Sequence, residues 1–390
     1  KRSFSVYLVD RTIPMLPHVL SNDVCSLNPH EDKLTFSAVF EINLAGHIYS
    51  RWFGRTVIHS DKRFTYENAQ EVLTAAGEKG IKELDQTGTK TVDGKPIDAL
   101  NSIEHGLNMV SFNTIAYALR REKEKAGAID FETVEIKFKL DETGKPIEVI
   151  KKERMDTHRL VEEFMLLANR EVAEYIFTGG DMQKLIKIDE AHVDYEKAHN
   201  KQLEGTPNKG GKMNLGVYRI HDVPDREKIG ELSTFLKALG YDLNVHKQIT
   251  PHDMQKLLRE VAGDPNESLI KTATIRSMAK AIYSTKNIGH FGLAFTYYTH
   301  FTSPIRRYPD LVVHRILQDI IDGRKMDDRD AANFTKICAD SSEQELKAAD
   351  AERQSIKYKQ IEYMLPRLGQ TFKGKISGVT EWGLYVTEEI

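Results

Sequence analysis

Residues 298–315 read YTHFTSPIRRYPDLVVHR, a run that places His300, Thr302, Ser303, Arg306, Arg307 and Tyr308 at the approach to a helical pattern. Side chains of these types in that order suit the binding of an anion. Thr302 or Ser303 can cap a helix that opens at Pro304, where a missing N–H costs nothing and the fixed φ fits the first turn. The free N–H groups behind the cap then face outward along the positive end of the helix dipole. Arg306 and Arg307 follow within one turn, and a planar guanidinium can grip a phosphate through two parallel hydrogen bonds. Pro309 comes about one turn later and cannot donate to the carbonyl four residues back, so it kinks or restarts the helix. An arbitrary Arg-Arg pair is ordinarily a solvated helix start with weak surface ion pairs; the rest of the chain must decide.

The elements that position this segment follow from periodicity. After Asp310, the residues Leu311, Val312, Ile316, Leu317 and Ile320 mostly recur at helical spacing, so the arginines project from a packed helix. Residues 34–44 alternate and continue across Ala45-Gly46 into 47–58, a predicted hairpin. Helices are expected over 67–84 and 101–124, around a solvated loop at 85–98 rich in Thr, Gly, Lys and Asp. Strands at 129–140 and 147–152 bracket the turn Gly144-Lys145-Pro146. Asp156 then caps a helix running to about Phe177, with Leu160, Phe164, Leu167, Ala168 and Val172 inward. Residues 179–214 are charged and glycine-containing and are expected to be mobile. A strand at 217–221 precedes helices at 225–239, 251–262 and 267–283. The close of the chain, GQTFKGKISGVTEWGLYVTEEI, alternates as two short strands about a turn at 378–383. The fold class is mixed α/β, with helices and strands interspersed (α+β).

Composition bounds the function. With 390 residues, 40% hydrophobic and 29% charged, the chain can bury a large core or form more than one domain. A net charge of -3 gives no global basic field, so contact with a nucleic acid requires a local channel. Cys25 and Cys338 are the only cysteines, too few for a disulfide framework or a cysteine zinc site. No apolar run reaches membrane-spanning length and no signal peptide opens the chain, so a cytoplasmic location is expected.

Residues 290–315, HFGLAFTYYTHFTSPIRRYPDLVVHR, resemble the signature of the RNB catalytic domain of the ribonuclease II and ribonuclease R exoribonucleases. Four further strings resemble family segments in the family's order: SVYLVDRTIPMLPHVLSNDVCSLNP at 5–29, GAIDFETVEIKF at 127–138, HRLVEEFMLLANREVA at 158–173 and VYRIHDVPDREKI at 217–229. The likeness is nearer the ribonuclease R branch and is poor at about 67–100 and 180–215. It implies an RNB domain over 1–367 and the opening of a C-terminal OB-fold RNA-binding barrel over 368–390; two strands cannot close that barrel. Both ends therefore read as cut, with cold-shock domains expected upstream.

The implied activity is hydrolysis of single-stranded RNA from its 3′ end, processively, to nucleoside 5′-monophosphates with Mg²⁺. DNA is not expected as the main substrate, nor a membrane as a partner. Phosphodiester hydrolysis calls for hard cations held by clustered carboxylates. The family's cluster resembles an Asp-rich string upstream of the segment matched at Ser5, and no equivalent occurs in this sequence. Asp327, Asp328 and Asp330 form the densest group, but in a polar turn where a helix cap is the expected role. Without the aspartates, this chain alone is expected to contact RNA with little or no hydrolysis; the competing class is a non-catalytic RNA-binding scaffold built on an RNB remnant.

The resemblance also assigns residues. Tyr7 matches a tyrosine near the terminal nucleotide, and Phe131 an aromatic that sandwiches the last base; alone, each would be ordinary core. Glu163, on the polar side of its helix opposite Leu160, Phe164 and Leu167, matches a nucleotide-contacting glutamate, although Glu162 fits nearly as well. Arg306 matches the arginine that supports phosphate positioning and transition-state charge, the catalytic candidate. Arg307, Thr302, Ser303, His300 and Tyr308 are candidates for lining the RNA channel, His300 being equally suited to a structural role. Glu352 matches a family glutamate near the site, but its helix is charged throughout and a solvated face is the expected position.

Overall fold

The computed structural model describes residues 2–76, 91–92, 95–96, 105–130, 135–180, 215–245 and 247–388. A short antiparallel pair, β1 (Val6–Tyr7) and β2 (Thr12–Ile13), opens the chain and leads to a long hairpin of β3 (Asp32–Ile42) and β4 (Ile48–His59). The hairpin meets its expectation to within two residues. Its register pairs Ala38 with Phe53 and Phe36 with Arg55, so the alternating apolar residues share the face turned to the core. At the tip Gly46 has φ +83°, a region that excludes most side chains, and an added Cβ would lie 3.4 Å from Leu119.

Helix α1 (Tyr66–Ala76) and helix α2 (Gly106–Lys125) occupy the two predicted helical spans; positions 77–84 and 101–104 of those spans lie outside the described residues. Within the expected loop at 85–98, β5 (Thr91–Val92) and β6 (Lys95–Pro96) form a minimal antiparallel pair. Strands β7 (Ile136–Leu140) and β8 (Pro146–Lys151) flank a turn fixed by Asp141, whose carboxylate accepts from the backbone N–H groups of Thr143 and Lys145. Helix α3 (Asp156–Thr178) starts with Asp156 as its first residue and Met155 as the cap, one position earlier than expected, and ends at Gly179 with φ +67°. The segment 181–214, expected to be mobile, lies outside the described residues.

Next come β9 (Tyr218–Ile220), α4 (Arg226–Ala238), α5 (Pro251–Glu260) and α6 (Glu267–Ser277). Helix α6 was expected to reach Tyr283. It stops at Ser277, and Ile282–Ser284 instead forms β10, antiparallel to β9. Pairing with a strand distant in sequence outweighs the helical pattern here, as happens where β-branched and aromatic residues meet a free edge. Helices α7 (Tyr308–Ile321) and α8 (Asp328–Met364) follow, then the hairpin β11 (Gly374–Thr380) and β12 (Gly383–Glu388). Asp327 caps α8 by accepting from the N–H groups of Arg329 and Asp330, the role expected of that acidic group.

The helix after Ser303 does not begin at Pro304. Residues 304–306 make a tight turn in which the Ser303 carbonyl accepts from the N–H groups of Arg306 and Arg307, and regular helix begins at Tyr308. Pro309, rather than Pro304, occupies the first helical turn, where its missing N–H is harmless. Neither Thr302 nor Ser303 caps the helix, because an extended Arg307 separates them from it.

The main core joins α3, β9, the β3–β4 hairpin and α7 through Phe53, Val172, Ile176, Tyr218, Val313, Ile316 and Leu317. A second cluster packs α4, α5 and α6 over the turn at Phe291. Four residues of α7, Val312, Val313, Ile316 and Leu317, are at most 3% exposed. Burial of each such side chain contributes about 1.5–3 kcal/mol, so the turn at 304–307 is carried on a firmly seated helix.

Candidate active site

The turn is fixed from below by two buried polar residues. Asn169, on α3, accepts at Oδ1 from the N–H groups of Phe301 (2.9 Å) and Thr302 (3.2 Å), and its Nδ2 donates to the Tyr298 hydroxyl at 3.3 Å. Asp310, fully buried on α7, accepts at Oδ1 from the Ser303 N–H (2.7 Å) and Arg307 Nη2 (2.8 Å), and at Oδ2 from Arg307 Nε (2.9 Å). Residues 301–307 therefore have little freedom. Backbone N–H groups that would be orphaned in a loop are satisfied by side chains from two different helices.

The two arginines have separate environments. Arg307 is committed to Asp310 through both hydrogen bonds, a paired charge in a partly buried site, with Asp310 raising the pKa of its guanidinium against desolvation. Arg306 is exposed, and its guanidinium makes no hydrogen bond or ion pair with the described residues. A fixed backbone carrying an unpaired cation is the arrangement that can receive an anion without breaking existing contacts. Its carbonyl accepts from the Ser5 N–H at 3.0 Å, which draws the first strand alongside.

That strand carries Tyr7 with half of its side chain exposed. The Tyr7 N–H donates to Glu352 Oε1 at 3.0 Å and the Val9 N–H to Ser355 Oγ at 3.0 Å, so α8 holds β1 from the other side. Tyr308 donates its N–H to the Ser3 carbonyl at 2.8 Å and packs at the margin of the main core. Tyr7, Glu352 and Arg306 are thus linked through one short segment, residues 3–7. Glu352, expected to sit on a solvated helix face, is half-buried and bonded.

Behind Arg306, His300 Nδ1 lies 2.7 Å from the Tyr283 hydroxyl. Burial, reinforced by Arg307 and Arg219, holds its pKa well below the usual histidine range, so the ring is neutral at neutral pH. His290 is pushed down to about 3 by burial and by His221. Thr302 Oγ1 is buried without a hydrogen-bond partner among the described residues, and Ser303 is buried with its N–H on Asp310.

Glu163 was expected on the polar side of α3; it is buried, 5% exposed, with Lys123 Nζ at 2.5 Å from Oε1. Helix α2 covers this part of α3, with Phe112 edge-on to Phe164 and Lys123 reaching the neighbouring Glu163. Desolvation raises the Glu163 pKa, while Lys123 opposes it. Glu162 pairs instead with Arg154. Lys123 and Glu163 line a cleft of about 150 Å³ together with Leu166, Leu167, Arg170 and Phe295. The same pair lines an adjoining cleft of about 60 Å³ with Arg120, Arg154, Arg159 and Leu293. Arg306 lines neither cleft. The two groups are joined by Tyr298, which packs against Leu166 and Phe295 on one side and His290 and His300 on the other. Phe131 lies outside the described residues.

Asn169, Asp310 and Lys123 bond directly to candidate-site residues and were not expected from the sequence. Asp310 stands three residues after Arg307, a spacing that pairs side chains on a helix. Asn169 interrupts an apolar helical run, and a polar residue at a buried position must have a partner. Among the described residues no group of three or more His, Cys, Asp or Glu side chains is arranged to hold a metal ion. No described helix is long and apolar enough to cross a membrane.

A mixed α/β domain with a preset arginine turn whose guanidinium is unpaired among the described residues has the means to receive an anion such as a phosphate, and known proteins narrow its class. Residues 1–203 and 211–323 match the RNB domain. Ribonuclease R of Aquifex aeolicus is 34% identical over 392 residues, covering 100% of this chain and 48% of that protein. Ribonuclease R of Thermotoga maritima is 35% identical over 392 residues, covering 99% and 48%. Among solved structures, Mycoplasma genitalium RNase R in complex with ribose methylated single-stranded RNA superposes with a TM-score of 0.76 at 24% identity, covering 99% of this chain and 53% of that one. The chain belongs to the RNB family. It spans about half the length of the curated relatives it matches.

Proposed function

We infer that this protein is a hydrolytic exoribonuclease that takes the 3′ end of single-stranded RNA and releases nucleoside 5′-monophosphates processively. The observation that carries the reading is Arg306, exposed and unpaired among the described residues, on a turn locked by Asn169 and Asp310. The ribonuclease R relatives support it, as does the likeness to an RNase R bound to single-stranded RNA. In the reaction water attacks the last phosphorus, the bond to the O3′ of the preceding nucleotide breaks, and that oxygen is protonated. Arg306 would stabilise the charge that builds on the phosphoryl oxygens, Tyr7 would stack near the terminal nucleotide, and Glu163 would contact a nucleotide in the cleft. Thr302, Ser303, His300, Arg307 and Tyr308 would form the wall behind it. Contacts of this kind address backbone, ribose and base faces, so little sequence preference follows.

Mg²⁺ is the proposed cofactor; a bound divalent cation would polarise the phosphate and activate water. None of the described carboxylates fits as a clustered ligand set for it. The proposed division is an RNB domain over 1–367 followed by an OB-type RNA-binding segment from 368, and the proposed location is the cytoplasm. The test is a 5′-labelled single-stranded RNA incubated with Mg²⁺, with an EDTA control and the Arg306→Ala variant. In the intact enzyme a ladder of 3′-shortened products, abolished by EDTA and slowed about 10²–10³-fold in the variant with RNA affinity retained, is expected, whereas this chain alone is expected to retain the RNA with little or no hydrolysis. Unchanged turnover in Arg306→Ala would overturn the assignment.

A further inference from the structure

Arg170 has no role in the proposed reaction, yet α3 directs it to the same cleft as Glu163. The two are seven positions apart. At 3.6 residues per turn they share a helix face and stand roughly 10 Å apart along the axis. Leu166 and Leu167 lie between them, and Phe295 completes an apolar floor.

The Arg170 side chain is 37% exposed, and its Nε and Nη2 donate to Glu171 Oε1 at 3.2 and 2.9 Å. A guanidinium has five N–H donors, so donors remain for another acceptor. Glu171 is itself buried, 2% exposed, and its second oxygen stands 2.7 Å from Arg51 Nε on β4. One buried carboxylate thus faces two guanidinium groups, and the trio keeps a net positive charge. The Arg170 Cζ also lies 5.8 Å from the centre of the Phe295 ring, a cation–π contact that restricts its position. The other charged residues of this cleft are already matched, Lys123 with Glu163 and Glu122 with Lys125. Arg170 is therefore the surplus cation of the cleft, held in place by a buried anion and a strand, with an aromatic face beside it.

A cation of this kind beside an apolar floor suits a polyanionic strand whose bases can lie flat. We propose that Arg170 grips a backbone phosphate of the RNA strand on the far side of Glu163, with Glu171 and Arg51 as its mount. The proposal rests on the reading that RNA occupies the Glu163 cleft. Arg170 acts in strand binding, away from the bond that breaks.

Anisotropy of a labelled single-stranded RNA, titrated with the 390-residue chain in EDTA at several salt concentrations, tests this. Each neutralised phosphate on a single strand contributes about 0.7 to the slope of log affinity against log salt. Arg170→Gln, which can still donate to Glu171 while Arg51 neutralises it, should bind about tenfold more weakly with the slope reduced by about 0.7. Arg170→Lys should keep the slope and lose affinity severalfold, because a point charge replaces the two-point grip. Melting curves establish that both variants fold; if Arg170→Gln does not, Arg170→Lys decides. Unchanged affinity in a folded variant overturns the role of Arg170 and leaves the exoribonuclease reading standing, whereas no RNA binding by the unsubstituted chain overturns both.

Discussion

Arg306 and Arg307 are adjacent in sequence and opposite in use. Asp310 engages the Nε and Nη2 edge of the Arg307 guanidinium, so loss of Arg307 would act on the fold of the turn, whereas Arg306 has no side-chain partner among the described residues to lose. The sequence pattern could identify both as anion-binding types but could not separate them, because the separation depends on which one Asp310 reaches. Glu163 illustrates the same limit. The apolar stripe of α3 put it on the polar side, and only the packing of α2 buries it against Lys123. This pair makes a sharp prediction. Lys123→Ala leaves an uncompensated carboxylate in a buried site, which costs about 3–5 kcal/mol. The Glu163 pKa is already raised by desolvation, and removing Lys123 raises it further. A carboxyl with a raised folded pKa contributes fully below its unfolded pKa and loses that contribution as pH rises through the folded value. The deficit of Lys123→Ala in urea unfolding should therefore be large at pH 8 and shrink toward pH 4.5, and Glu163→Gln in the same background should restore stability at pH 8. An equal deficit at both pH values would show that Lys123 acts through packing alone.

The hairpin β3–β4, helix α3 and helix α7 were all legible, since long alternating or helical patterns flanked by turn residues leave little ambiguity. The errors fall where distant segments intervene. Helix α6 stops short because β9 captures Ile282–Ser284, and the start of α7 shifts to Tyr308 because Ser303 is bonded to Asp310 and Arg307 is drawn into a bridge with Phe4. Pro304 looked like a helix opener; its turn is instead stitched to the first strand through Ser5 and Tyr308. Asp310 is the element-level hinge of this arrangement. Asp310→Ala should release the Ser303 N–H and leave Arg307 unpaired in a partly buried site, destabilising the protein by about 3–5 kcal/mol and lowering RNA turnover along with stability. Thermal melts alongside activity would separate it from Arg306→Ala, which is expected to leave stability within about 0.5 kcal/mol of the parent, as exposed substitutions do. A stable Asp310→Ala with a normal melt would contradict the latch.

Across the whole molecule, a net charge of -3 means that the RNA binding proposed for this protein requires local sites. The two places proposed for it are the Arg306 turn with Tyr7 and the cleft of Glu163 and Arg170, joined through Tyr298. Composition excluded a general basic surface, and the RNB strings pointed to the family, but the separation into two sites linked by an aromatic partition arises only from folding, when α2 and the hairpin tip close over α3. The direct test is a cross-link from a photoreactive nucleotide at the 3′ terminus of a single-stranded RNA, mapped to peptides by mass spectrometry. Cross-links in the peptides that contain Tyr7 and residues 298–308, lost when unlabelled single-stranded RNA competes, are predicted. Cross-links confined to the outer face of β3–β4 or to β11–β12, with none at the Arg306 turn, would contradict the placement of the RNA 3′ end and with it the function proposed for this chain.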